Sequence, residues 1–312
     1  MSEFINKVYN QDSKEMFLES IELDKYPPRW WERLFEKTVD LEEKYGKDLF
    51  GFTTPEIIVL YKYLDAYSLE SLMVYNLNLI KYGDWALMNN LSVDGQNHFA
   101  EITNESLANC VNEIAVKKSI VDEERLEEIL RQIDNAMDKY VFYALWEGIK
   151  GKEYCEILEL KLSDINVNTK EVVLCTGRTI KVSERFISIC QEADKQTDYV
   201  SYSDNKEMVR HLIPSDTIFK EKFNSRGIDK PRSLYNTLLR CIKNLGLSNY
   251  LSINSIYQSG LIHHFNLVAE KNDMSVEDML NNPQVRKEVV SKYNFNVDAK
   301  KRFLLKYKNY LR

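Results

Sequence analysis

The segment from Trp146 to Asn166, WEGIKGKEYCEILELKLSDIN, concentrates residue types that could do chemistry. An apolar helix runs into glycines, Lys150, Lys152 and Glu153 follow, and an apolar stretch then leads to Asp164. That is the layout of a signature helix in an enzyme acting on an anion, because fixed charged donors gain most against a charged oxygen. Glu153 stands in it with the wrong sign. The other reactive side chains suggest less. His263 and His264 are adjacent, and a helix offers one metal its i and i+4 positions, so no metal or other cofactor is expected. The five cysteines, Cys110, Cys155, Cys175, Cys190 and Cys241, form no CxxC pair and are expected as small buried apolar residues.

The elements that must position these groups read mainly as helices. Ten glycines and six prolines in 312 residues leave little punctuation. VDEERLEEILRQI predicts an amphipathic helix capped by Asp122, with Leu126, Ile129, Leu130 and Ile133 as its buried stripe. MDKYVFYALWEGI follows as a more uniformly apolar helix, central to a core. Upstream, TPEIIVLYKYLDAY carries Pro55 in its first turn, and SLESLMVYNLNLIKYGDWALMNN places Leu72, Tyr75, Leu79 and Tyr82 at helical spacing. Pro27 and Pro28 break the first 50 residues, and Trp30 and Trp31 beside them are expected to anchor onto a neighbouring helix. EVVLC and TIKVS flank Thr176 and Gly177 as a small hairpin. ERFISICQEAD, SLYNTLLRCIKNLG and SIYQSGLIHHFNLVAEK return to helix, the second ended by Gly246.

The length and the 44% hydrophobic content suit about two domains, with a boundary near residues 115–122 and one small sheet in the second half. The start of the chain has no basic and apolar leader pattern, and nowhere do about 18 apolar residues run together, so the expected location is the bacterial cytoplasm. The net charge of −6 argues against indiscriminate coating of nucleic acid. A local basic face stays compatible with it, since nine Lys and Arg residues between Arg286 and Arg312 meet only Glu288 and Asp298.

The order of apolar helix, glycine, EILELKLSDIN and hairpin, followed by SINSIYQSG and MLNNPQVRKEVVSKY, resembles the tyrosine recombinase (phage integrase) superfamily. The resemblance spans roughly residues 50–312, strongly in the order of elements and weakly in identity. It implies a mainly α, two-domain clamp around duplex DNA. Its expected parts are a helical extension (1–50), a helical core-binding domain (51–118) and a catalytic-like domain with a small β-hairpin (119–312). In that family two arginines hold the phosphate, a histidine and a lysine move protons, and a tyrosine attacks phosphorus. In a gapless register Glu153 falls at the first arginine, Asn254 at the histidine and Tyr257 at the second arginine. Asn282 falls where histidine or tryptophan would sit, and Tyr293 falls close to the nucleophile. An arginine on a phosphoryl transition state is worth about 10³ to 10⁵ in rate and a general acid or base about 10² to 10⁴, so the register implies a retired site with no catalytic residue. The alternative register substitutes Lys150 or Lys152 for the arginine and Arg178 or Lys181 for the lysine. A lysine lacks the bidentate fork, and nothing nearby restores Tyr257.

Among members without catalysis, the pattern resembles the recombinase-like master repressors of SPβ-type Bacillus prophages. That resemblance implies a sequence-specific repressor that maintains lysogeny on double-stranded DNA operators, away from any membrane, with a phage-encoded antirepressor as a further partner. An active or auxiliary integrase and a protein-interaction module are the alternatives. Expected DNA contacts are Asn76, Asn78 and Lys81 on a groove-facing helix, Lys117 and Lys118 at the linker, Lys150 and Lys152 beside the old pocket, Arg178 and Lys181 on the hairpin, and Arg226, Lys230 and Arg232. In KKRFLLKYKNYLR, Phe303, Leu304, Tyr307 and Leu311 form an apolar stripe in a basic helix, suited to docking into a second copy of a dimer or DNA-assembled oligomer, or onto the chain itself.

Overall fold

The computed structural model describes residues 7–21, 28–66, 68–92, 94–203, 206–222, 229–248 and 251–312. The chain divides into two compact units, residues 1–116 and 117–312.

The first unit is helical among its described residues. α1 (Gln11–Ser20) and α2 (Pro28–Tyr45) come first, α2 opening on a proline, whose missing N–H costs nothing in a first turn. α3 (Thr54–Tyr63) starts with a capping box in which the Thr53 amide donates to Glu56 at 2.7 Å. α4 (Leu69–Met88) is capped by Ser68, and α5 (Asn104–Ala108) and α6 (Glu113–Ser119) complete the unit's helices. Phe17 of α1 meets Trp31 of α2 and Tyr82 of α4, each at 4.9 Å between ring centres, so residues before position 50 share one core with α4. Trp30 stacks on Tyr75 at 5.7 Å, and both tryptophans therefore act as anchors. Beneath them the fully buried Lys14 ammonium reaches Glu42 at 2.7 Å and Asp48 at 3.3 Å. Burial pushes Glu42 up to about 7, against the pull of Lys14.

The second unit is built around α8 (Ala136–Trp146), whose side chains are buried almost all round. α7 (Glu123–Arg131) precedes it, with the Asp122 carboxylate accepting from the Arg125 amide at 2.9 Å and the expected stripe buried. The short α9 (Cys155–Leu158) leads into an antiparallel sheet of β1 (Ile165–Asn166), β2 (Glu171–Val173) and β3 (Thr179–Lys181). Val172 pairs with both Ile165 and Ile180, which puts these three buried side chains on one face. α10 (Glu184–Lys195) packs on α8. A second sheet then appears where only helix and loop were expected: β4 (Asp198–Ser203) pairs with β5 (Lys206–His211). All six residues of β5 are exposed, so no apolar face marks the strand in sequence.

α11 (Lys230–Asn244), α12 (Ile253–Lys271), α13 (Val276–Asn281), α14 (Pro283–Tyr293) and α15 (Lys300–Tyr307) follow. The α15 stripe takes one of its two expected places. Phe303 and Tyr307 are buried against the chain's own Phe265 and Phe295, with Leu304 and Leu311 beside them, rather than offered to a second copy. The amide of Val276 donates to the Arg312 carbonyl at 2.9 Å and closes that docking. Among the cysteines, Cys110 and Cys190 are buried as expected, Cys155 and Cys241 are half-buried, and Cys175 is exposed at the hairpin turn.

Candidate functional site

The site grows from the C-terminal end of α8. Gly148 adopts φ +84°, and a side chain there would press on the Lys292 carbonyl and the Tyr293 ring, so α14 can approach only a glycine. The chain then turns through Gly151, Glu153 and Tyr154, all with positive φ. The two non-glycine residues hold a conformation that costs of order 1–3 kcal/mol each. The turn leaves Glu153 exposed and drops Glu156 into the interior, where it is 2% accessible.

Glu156 is the centre of the cluster. Its carboxylate accepts from the Lys150 amide at 2.9 Å, from Thr176 Oγ1 at 2.6 Å, and from Arg178 through Nε at 2.9 Å and an Nη at 2.6 Å. Burial alone would raise its pKa, but the Arg178 and Thr176 hydrogen bonds outweigh that and hold it below the ordinary range. Arg178 goes further. Its remaining N–H groups donate to the carbonyls of Gly148 at 3.1 Å, Ser291 at 3.0 Å and Lys292 at 2.8 Å. The guanidinium thus pins the β2–β3 hairpin to α14 and has no donor to spare for a phosphate, which corrects its expected role as a DNA contact.

Tyr257 and Tyr293 close the other wall. The Tyr293 side chain is buried, and its hydroxyl donates to the Trp146 carbonyl. Burial, then the neighbouring Glu147, hold that phenol well above its usual pKa. Tyr257 donates its hydroxyl to the Tyr293 carbonyl, lies edge-on to its ring at 5.4 Å, and is pushed up to about 12 by burial. Lys150 sits over the Tyr257 ring at 5.2 Å, with its pKa lowered by burial. A second buried pair joins Glu147 to Lys292 at 2.6 Å. His264 packs on Tyr293 with ring centres 5.7 Å apart, and burial pulls its pKa down to about 3.

The structure therefore gathers Lys150, Arg178, Tyr257 and Tyr293 in one packed cluster. Asn254 is exposed in the first turn of α12, and Asn282 spends its side chain capping α14 through the amides of Gln284 and Val285. The Glu156–Arg178 and Glu147–Lys292 pairs were not anticipated. Their signal in sequence was a charged residue inside an otherwise apolar run, which needs a partner wherever it is buried.

The expected DNA contacts separate cleanly by exposure. Asn76 and Asn78 are corrections: both are buried in α4, where Asn76 accepts from the Tyr61 hydroxyl at 2.6 Å and Asn78 donates to the Val74 carbonyl at 2.8 Å. An uncharged amide on the core face of a helix satisfies the protein's own polar groups before any groove. Lys81, Lys117, Lys118, Lys152, Lys181, Lys230 and Arg232 are exposed, with Lys230 paired to Glu221 at 3.1 Å. Arg226 lies outside the described residues.

A mainly helical chain in two units, with the positions of the recombinase motifs meeting on the second, defines a protein of the tyrosine-recombinase type of architecture. Residues 8–88 match the family model for the MrpR N-terminal core-binding domain, and residues 120–311 match that for the MrpR C-terminal catalytic domain. The chain belongs to the MrpR family. It is also 26% identical to the SPbeta prophage-derived uncharacterized protein YopR of Bacillus subtilis (strain 168), an alignment covering 97% of this chain and 94% of that protein. Among the described residues no helix is long and apolar enough to cross a membrane.

Proposed function

We propose that this chain is a sequence-specific double-stranded DNA-binding repressor that maintains a prophage, using a recombinase fold without cutting the strand. One observation carries the reading: the groups that could do phosphoryl chemistry are committed elsewhere. Tyr293, which falls close to the nucleophile's place, turns its hydroxyl inward onto a backbone carbonyl, and a phenol that must leave a buried hydrogen bond and lose a proton in an apolar wall makes a poor nucleophile. The residue at the second arginine position is a phenol, also internally bonded, and the guanidinium in the cluster serves Glu156 and three carbonyls. An exposed Glu153 at the first arginine position repels a phosphate.

Exposed cations on both units suit the DNA backbone, Lys81, Lys117, Lys152, Lys181 and Arg232 among them. The experiment is a gel-shift series on prophage promoter fragments at two salt concentrations, beside a nicked suicide substrate. The expected result is a salt-sensitive, sequence-selective complex and no covalent adduct. Lys152→Ala and Lys181→Ala should each flatten the plot of log affinity against log salt by about 0.9 if each meets one phosphate. An adduct lost in Tyr293→Phe would establish the active recombinase instead. Absence of any duplex binding at physiological salt would leave the interaction-module reading.

A further inference from the structure

Nine basic residues crowd the segment from Arg286 to Arg312, and the cluster around Glu156 and Glu147 uses only Lys292 of them. Their partners divide the rest. Arg286 donates to the Leu280 carbonyl at 3.3 Å, Lys300 donates to Asn281 at 2.7 Å, Lys306 lies over the Tyr307 ring at 5.0 Å, and Arg312 pairs with Glu270 at 2.8 Å. Lys287, Lys301, Arg302 and Lys308 are exposed, and none of them forms an ion pair with a described residue. The two acids of the segment, Glu288 and Asp298, neutralise none of the four by contact.

The docking of α15 decides where three of these cations stand. Phe303 and Tyr307 are buried against Phe265 and Phe295, which fixes that side of the helix inward. Lys308 keeps helical angles, φ −47° and ψ −36°, so the helical frame reaches it. At about 100° per residue, Lys301 and Lys308 fall within roughly 20° of each other and Arg302 about 100° round from Lys301, all on the side away from the buried rings. Along the axis Lys301 and Lys308 are about 10 Å apart, close to the axial span of three phosphate steps on one strand of B-DNA. A membrane surface fits less well, because the apolar stripe that would enter lipid is already spent on the chain's own core.

From this charge complementarity we propose that the outer face of α15 binds the phosphate backbone of duplex DNA through Lys301, Arg302 and Lys308, a contact that rests on the repressor reading and adds an element to it. Docking in cis holds the three cations on one surface before DNA arrives, which lowers the ordering cost of the contact. Phosphate contacts of this kind add affinity and salt dependence and carry no sequence information.

The test combines Lys301→Gln, Arg302→Gln and Lys308→Gln in the full chain and follows affinity for a prophage promoter fragment bound by the parent, between about 50 and 200 mM salt. The slope of log affinity against log salt should fall by about 2.7, or about 0.9 for each phosphate given up, with the ranking of promoter fragments unchanged. All three positions are exposed, so the variant should melt with the parent. The single variants, each lowering the slope by about 0.9, carry the same test should the triple one be unstable. Arg312→Gln, whose guanidinium Glu270 already holds, should leave the slope where it is. If the parent binds its fragment and the triple variant keeps the full slope, the face does not meet DNA, and this inference falls while the repressor reading stands. If Arg312→Gln lowers the slope as much as each of the three, net charge and not this face is responsible, and the inference falls again. A triple variant that keeps the slope but loses self-association in sedimentation velocity assigns the face to an acidic surface of a second copy and overturns the DNA contact. A parent that binds no duplex at all overturns both readings together.

Discussion

At Arg178 every guanidinium N–H has an acceptor, two on Glu156 and three on backbone carbonyls. A lysine could keep the charge but only a fraction of these bonds, and the Glu156 carboxylate would lose its bidentate partner in the interior. Arg178→Lys should therefore cost about 3 kcal/mol in urea unfolding, well beyond the median surface ion pair. His264 carries the acid sensitivity of the same region. Its pKa is about 3 when folded against an ordinary 6.5, so the native state binds fewer protons than the unfolded chain between those values. Its contribution to stability is complete above pH 6.5 and drains away as pH falls toward 3. Between pH 7 and 5 that is about 2 kcal/mol, and His264→Leu should remove this part of the pH dependence. A variant whose stability falls as steeply on acidification as the parent's would remove His264 from the account.

Elements meet here through glycines placed where a methyl group cannot go. At Gly260 on α12 an added Cβ would overlap the Trp146 carbonyl oxygen and crowd the Tyr293 hydroxyl, so α12 and the end of α8 pack backbone to backbone. Gly260→Ala must push the helices apart and break the Tyr293 hydrogen bond. The expected loss is about 2–4 kcal/mol, read as a lower urea midpoint with an unchanged m-value. A Gly260→Ala variant that is neutral or stabilising, as at an open helix site, would exclude backbone-to-backbone packing of α12 on α8. The same logic separates legible elements from illegible ones. α7, α8 and the β2–β3 hairpin were readable because period, caps and turn residues agree locally. β4 and β5 were not, since an exposed hairpin carries no hydrophobic alternation on its outer strand.

For the molecule as a whole, residues 1–116 and 117–312 are two compact units, and the buried charge cluster of Lys14, Glu42 and Asp48 lies within the first. Lys14→Met strands Glu42 and Asp48 without their cation in the interior of residues 1–116. Removal of one member of a buried pair costs about 3–5 kcal/mol, so a scanning calorimetry trace should show one transition moved down and the other in place. A single transition that shifted as a whole would make the two units one cooperative body.

The amino-acid order alone determined the helical class, the helix caps and the central α8, which depend on neighbours within a few turns, and it carried the order of elements by which the chain resembles a recombinase. Only the tertiary structure decided that Asn76 and Asn78 face a core, that α15 folds back on its own chain, and that Arg178 serves Glu156. Each depends on what lies opposite a side chain. A polar residue read from sequence has no way to declare whether its partner is solvent, DNA or a carboxylate more than twenty residues away.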